Sequence, residues 1–140
     1  MKILYQTQAT AVGGRTGCAA SADGALRVQL AAPRELGGDG AAGTNPEQLF
    51  AAGYAACFLS AIKFVAAQEK AAIPADANVT ATVGIGPSGN GQGFALAVAL
   101  AVDLPGLDRG AAERIVAAAH LACPYSNATR GNIDVRITIA

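Results

Sequence analysis

The sequence predicts a single α+β domain over residues 1–140, with a mostly antiparallel sheet and one long buried helix. Three observations predict it. Segments that alternate apolar and polar residues stand at both ends of the chain. A hairpin pattern lies in the middle, and two helical patterns are set between the strands. The length suits one domain.

Lys2 to Val12 alternates as a strand, Gly13 and Gly14 turn the chain, and Arg15 follows directly. Ala25 to Leu30 reads as a second strand with Arg27 and Gln29 on its polar face. Gly37 to Gly43 is a glycine-rich loop. A helix then starts with Thr44 or Asn45 as cap, Pro46 in the first helical position and Glu47 in the first turn. It runs to about Lys70, before Pro74. Its apolar residues lie nearly all round, which predicts burial in the middle of a fold or between subunits. Asn78 to Gly86 and Gly93 to Asp103 form the hairpin, joined by the turn-rich Pro87 to Gly91. The second of these strands is apolar enough for both faces to be covered. Asp108 caps a second helix, Arg109 to Leu121, which Pro124 stops. Asn132 to Ile139 alternates again as the last strand.

Apolar residues make up 52% of the chain and charged ones 14%, which supports a packed core and excludes a disordered chain. Ten basic residues balance ten acidic ones, which argues against nucleic acid or an anionic membrane as partner. No uninterrupted apolar run reaches the ~18 residues of a bilayer span. The N-terminus MKILYQTQAT lacks the pattern of a secretory leader, so a cytoplasmic location is expected. There a disulfide is more often catalytic or redox-sensing than structural. Three cysteines and one histidine, widely spaced, match no zinc pattern and predict no bound metal.

Cys57 lies in the middle of the long helix, where a cysteine is ordinarily a small core residue. To act as a nucleophile it needs a cation, because an apolar site alone raises a thiol's pKa. Lys63, Arg15 and Arg130 are the candidates. Lys63 is about 120° away around the helix, which leaves Arg15, beside its double glycine, as the better one. Cys123 sits at a helix-to-loop junction, where a thiol has room to move as a resolving cysteine must. Cys18 carries no such context. His120, three residues before Cys123, reads either as a Cys–His partner or as a hydrogen-bonded histidine on a helix. Glu47 is ten residues before Cys57, ~15 Å along a helix, and cannot touch it. It serves the helix dipole or orients an arginine.

At these residues the chain resembles a family. PRELGG (Pro33 to Gly38), TNPEQLFAAGYAACF (Thr44 to Phe58), AHLACPYSNATRGNIDV (Ala119 to Val135) and GGR (Gly13 to Arg15) resemble the organic hydroperoxide resistance branch of the OsmC/Ohr family, in order and over essentially the whole chain. Thr16 departs from the pattern, where Asn or Asp is expected, and Cys18 lies outside it. The resemblance implies an OsmC-like fold in an intertwined homodimer, with the long helices central. It implies reduction of alkyl and lipid hydroperoxides by two cysteines, without a bound cofactor. Dihydrolipoamide or a lipoylated protein is then the electron donor. By position, Cys57 matches the peroxidatic cysteine, Cys123 the resolving one, Arg15 the arginine that stabilises the thiolate, and Glu47 the glutamate that holds it. Phe50, Tyr54, Phe58 and Ile62 are expected to wall the site and favour alkyl-bearing peroxides. Two other readings use the same residues: the osmotically induced branch of the family, and a non-catalytic dimer that binds apolar ligands or senses peroxide through its two thiols; a third, a metal-binding module, has too few ligands.

Overall fold

The computed structural model describes residues 1–140 and has two compact units, Met1–Leu49 and Phe50–Ala140. In the first unit, β1 (Ala9–Val12), β2 (Cys18–Ser21) and β3 (Arg27–Gln29) form an antiparallel sheet in that order. A 3₁₀ turn at Gly14–Thr16 joins β1 to β2 and carries Arg15. Gly17 closes this turn at close quarters, since a Cβ on it would lie 1.7 Å from the Val12 carbonyl oxygen. Leu30 bridges to Thr44 at the far side of the glycine-rich loop. The expected strand from Lys2 is shorter than its alternation suggests, because the four residues of β2 pair only with Ala9–Val12. The expected strand over Ala25–Leu30 likewise narrows to Arg27–Gln29. Leu30 and Ala31 are the buried hydrophobic side chains of this unit, while Ile3, Leu4, Tyr5 and Val12 are exposed.

The helix α1 (Pro46–Gln68) begins where the sequence signals it. Asn45 is the cap: its Oδ1 accepts from the Gln48 N–H at 2.9 Å. In the second unit, α1 is followed by β4 (Asn78–Pro87), β5 (Phe94–Asp103), α2 (Arg109–Ala122), α3 (Pro124–Thr129) and β6 (Val135–Ile139). β5 is central, antiparallel to β4 and parallel to β6. The parallel pairing requires a crossover, and α2 and α3 supply it. Asp108 caps α2 through the Ala111 N–H at 3.0 Å, as expected.

The core of this unit joins Tyr54, Phe58, Ala61, Ile62, Val65 and Ala66 of α1 to Val98, Leu100 and Val102 of β5 and to Ala112, Ile115, Val116 and Ala119 of α2. The α2 residues recur at the spacing of one helical face. Each fully buried large side chain contributes about 1.5–3 kcal/mol.

Within one chain α1 buries one side and leaves Ala52, Ala56, Ser60, Lys63 and Phe64 exposed on the other. Three expectations are corrected here. α1 is long and apolar enough to cross a bilayer, a property hidden from a run-length reading by Ser60 and Lys63. Within this chain β5 is covered on one face. Its other face is apolar because it is built of Ala95, Ala97, Ala99 and Ala101. Lastly, Pro124 does not lead into a loop. It occupies the start of a new helix, where a missing N–H costs nothing, and Cys123 joins the two helices end to end.

Candidate active site

Two pairs of the expected residues meet, one in each unit. In the first unit the Arg15 guanidinium grips Glu47 with two hydrogen bonds, Nη1 to Oε2 at 2.8 Å and Nη2 to Oε1 at 2.5 Å. The 3₁₀ turn presents Arg15, and the first turn of α1 presents Glu47. The Arg15 side chain is 36% exposed and that of Glu47 13%, so the pair is open on the arginine side. Hydrogen bonding to Arg15 holds the Glu47 carboxyl below its ordinary range, against a smaller penalty from burial. The same bonds raise the Arg15 pKa further. Both groups are therefore charged across the physiological range, and the planar fork is fixed in orientation.

In the second unit the sulfurs of Cys57 and Cys123 lie 3.6 Å apart as free thiols. Cys57 comes from the middle of α1 and Cys123 from the α2–α3 joint. They differ in access: Cys57 is half-buried, while Cys123 has no exposed surface. The junction thus buries Cys123, where the sequence reading expected a thiol with room to move. A disulfide spans about 2.05 Å, so the sulfurs need close by only ~1.6 Å to bond. Burial pushes the Cys57 thiol above its ordinary value of 9.0. The Tyr125 N–H pulls the other way, and the hydrogen bond with Cys123 pushes it further up. With those influences alone the sulfur stays protonated at neutral pH.

Of the four expected wall residues, Tyr54, Phe58 and Ile62 are wholly buried and belong to the core. Phe50 keeps some exposed surface. Its ring meets that of Tyr54 edge-on at 5.9 Å. Lys63 is exposed. Arg130 is engaged elsewhere, donating to Asn127 Oδ1 at 2.6 Å and to the His120 carbonyl at 2.7 Å. His120 is the hydrogen-bonded histidine of its two readings, with Nδ1 3.0 Å from Ser126 Oγ. Cys18 is exposed on β2.

Sequence reasoning missed Tyr125. Its backbone reaches the Cys57 sulfur, and its ring lies 5.9 Å from that of Phe50 and 5.6 Å from that of Tyr54. Gly53 makes room for it, because a Cβ there would stand 2.8 Å from the Tyr125 hydroxyl. Reading Pro124 as the first residue of a helix places Ser126 and Thr129 on the face of Cys123 but gives no signal for Tyr125.

Comparison with known proteins places this arrangement. Residues 37–138 match the family model described as OsmC-like protein. An organic hydroperoxide resistance protein of Xanthomonas axonopodis pv. citri is 55% identical over 139 residues, covering 99% of this chain and 96% of the relative. The crystal structure of an organic hydroperoxide resistance protein from Legionella pneumophila has a TM-score of 0.93 at 51% identity, covering 99% of each chain. That of OhrB from Bacillus subtilis has a TM-score of 0.90 at 43% identity, covering 99% of this chain and all of that one. From the two thiols in contact, the clamped arginine and these likenesses together, the chain belongs to the OsmC-like family, in its organic hydroperoxide resistance branch.

Proposed function

We propose that the chain is a cysteine-based peroxidase that reduces organic hydroperoxides to alcohols. The observation that carries this reading is the 3.6 Å contact between an accessible Cys57 and a covered Cys123. The peroxide meets the first sulfur and is kept from the second. Arg15, oriented by Glu47, supplies the positive charge that Cys57 lacks among its own neighbours. The thiolate attacks one peroxide oxygen, the O–O bond breaks, and the alkoxide takes a proton to leave as the alcohol. Arg15 stabilises the charge that develops on that oxygen. Cys57 is then a sulfenic acid, oxidised by two electrons. Cys123 condenses with it, expelling water and forming the Cys57–Cys123 disulfide. A dihydrolipoyl dithiol, free or on a lipoylated protein, reduces this disulfide by exchange and is itself oxidised to a cyclic disulfide. No bound cofactor enters the cycle. The aromatic surface of Phe50 and Tyr125 beside the site favours alkyl-bearing peroxides over hydrogen peroxide.

The working form in this reading is a cytoplasmic homodimer. Two observations support the dimer. The first unit buries only Leu30 and Ala31, too little to sustain a core of its own. The outer face of α1 also leaves Phe64 58% exposed.

The test is NADH oxidation in the presence of lipoamide, lipoamide dehydrogenase and tert-butyl hydroperoxide. Continuous turnover is expected, with hydrogen peroxide reduced more slowly and Cys57→Ser inactive. Cys123→Ser is expected to oxidise once and then over-oxidise. A protein that consumes one equivalent of peroxide and stops, with the dithiol system present, is a sensor and overturns the reading.

A further inference from the structure

We propose that Ser126 and His120 are positioning residues for closure of the Cys57–Cys123 bond, through a buried hydroxyl–imidazole chain that sets the register of α3 against α1. The inference rests on the peroxidase reading and concerns its second step.

The chain has four members. The Tyr54 hydroxyl lies 3.0 Å from Ser126 Oγ and 3.3 Å from Thr129 Oγ1. Ser126 Oγ lies 3.0 Å from His120 Nδ1. Thr129 Oγ1 donates to the Tyr125 carbonyl at 3.0 Å. Tyr54, Ser126 and Thr129 are at most 4% exposed, so each hydroxyl depends on these partners alone. Run from the imidazole, the protons give every contact one donor: His120 Nδ1–H to Ser126, Ser126 to Tyr54, Tyr54 to Thr129, and Thr129 to the Tyr125 carbonyl. Burial, with Arg130 adding to it, favours the neutral imidazole, and its Nδ1–H tautomer supplies the first of these protons.

The spacing connects this chain to the sulfurs. Tyr54 and Cys57 are three residues apart on α1, and Cys123 and Ser126 are three residues apart on the facing stretch. Tyr54 meets Ser126 at 3.0 Å, and Cys57 meets Cys123 at 3.6 Å. These are two rungs of one antiparallel contact, a single helical turn apart. The hydroxyl rung has a sharp optimum in distance and angle, whereas the sulfur rung has room to slide. α3 is six residues long, too short to hold its place by its own ladder. Ser126 is the hub that fastens it to α1 inside, and His120 ties the hub to α2.

The test measures the two oxidation steps separately. Protein is mixed with graded tert-butyl hydroperoxide and quenched. Mass spectrometry reads the ratio of Cys57–Cys123 disulfide to Cys57 sulfinic acid. The first-step rate, read in a Cys123→Ser background, is the comparator. Ser126→Ala is expected to lower the disulfide-to-sulfinic ratio about tenfold, as a small misplacement of reacting atoms does. His120→Leu, at the half-buried end of the chain, is expected to act the same way and carries the test should Ser126→Ala fail to fold. His120→Asn, whose amide can stand where Nδ1 does, is expected to recover most of the ratio. A purely structural role would lower thermal stability and leave the ratio alone. Folded variants with an unaltered ratio overturn this inference by itself. A wild-type protein that forms no Cys57–Cys123 disulfide overturns it together with the peroxidase reading.

Discussion

Oxidation should change how firmly the protein holds together, and by an amount that the positions of its cysteines set. A Cys57–Cys123 bond closes a loop across a sequence separation of 66. The chain-entropy relation for a loop of that size gives about 4 kcal/mol, by constraining the unfolded chain. Unfolding entropy of roughly 2.1 cal/mol/K per residue over 140 residues makes 1 kcal/mol worth about 3.4 °C, so the midpoint should rise by up to about 15 °C. Only strain from drawing the sulfurs together, over the ~1.6 Å that separates contact from a bond, subtracts from this. The assay compares melting curves of the reduced protein and of protein treated with one equivalent of tert-butyl hydroperoxide, at one protein concentration. The rise should vanish in Cys57→Ser and in Cys123→Ser and persist in Cys18→Ser. Equal midpoints in the wild type, or a rise that survives Cys123→Ser, would refute the pairing.

Four further outcomes follow from the clamp and its turn. Glu47→Gln removes a charge-assisted pair of bonds from Arg15 and should slow the first oxidation step about tenfold, read by stopped-flow with excess peroxide. The same pair gives the fold an acid limit. Arg15 depresses the Glu47 pKa in the folded state, so its contribution is present above the ordinary value of 4.5 and is lost as pH falls through the lower folded value. The Arg15 side is solvent-screened, so the stability gap between wild type and Glu47→Gln should be no more than about 1 kcal/mol at neutral pH, closing below pH 4.5. Burial raises the Cys57 thiol, so Arg15→Ala should show peroxide reactivity that climbs about tenfold per pH unit through neutrality, while the wild type levels off earlier. Gly17→Ala drives a Cβ into the Val12 carbonyl and should cost about 2 kcal/mol or more in denaturant unfolding.

Much of this was legible in the sequence where a local cause acts. Asn45, Pro46 and Glu47 mark the start of α1 by capping chemistry that needs no tertiary partner. The hairpin of β4 and β5 shows in its turn residues and its apolar alternation. Lys2 to Gln8 misled because alternation predicts a strand only if a neighbour is long enough to pair with it, and β2 is not. β5 misled because alanine counts as apolar whether covered or bare. Both cysteines could be singled out by the strings around them, and Arg15 and Glu47 by theirs. Their contacts could not, because the Cys57–Cys123 and Tyr54–Ser126 meetings span separations of 66 and 72 residues. Tyr125 was invisible for another reason: it reaches Cys57 through its main chain, which every residue possesses.

The end-to-end joint at Cys123 has a mechanical consequence. Its N–H closes the last turn of α2 on the Ala119 carbonyl at 2.8 Å, and its own carbonyl receives the Asn127 N–H that opens α3, at 2.9 Å. One residue is thus the hinge pin for two rods. When its sulfur travels toward a neighbour, either the side chain swivels on a still backbone or both rods feel the pull at once. In the proposed cycle, the second course would gear the oxidation state of a single atom to the seating of about half of the second unit's helical residues.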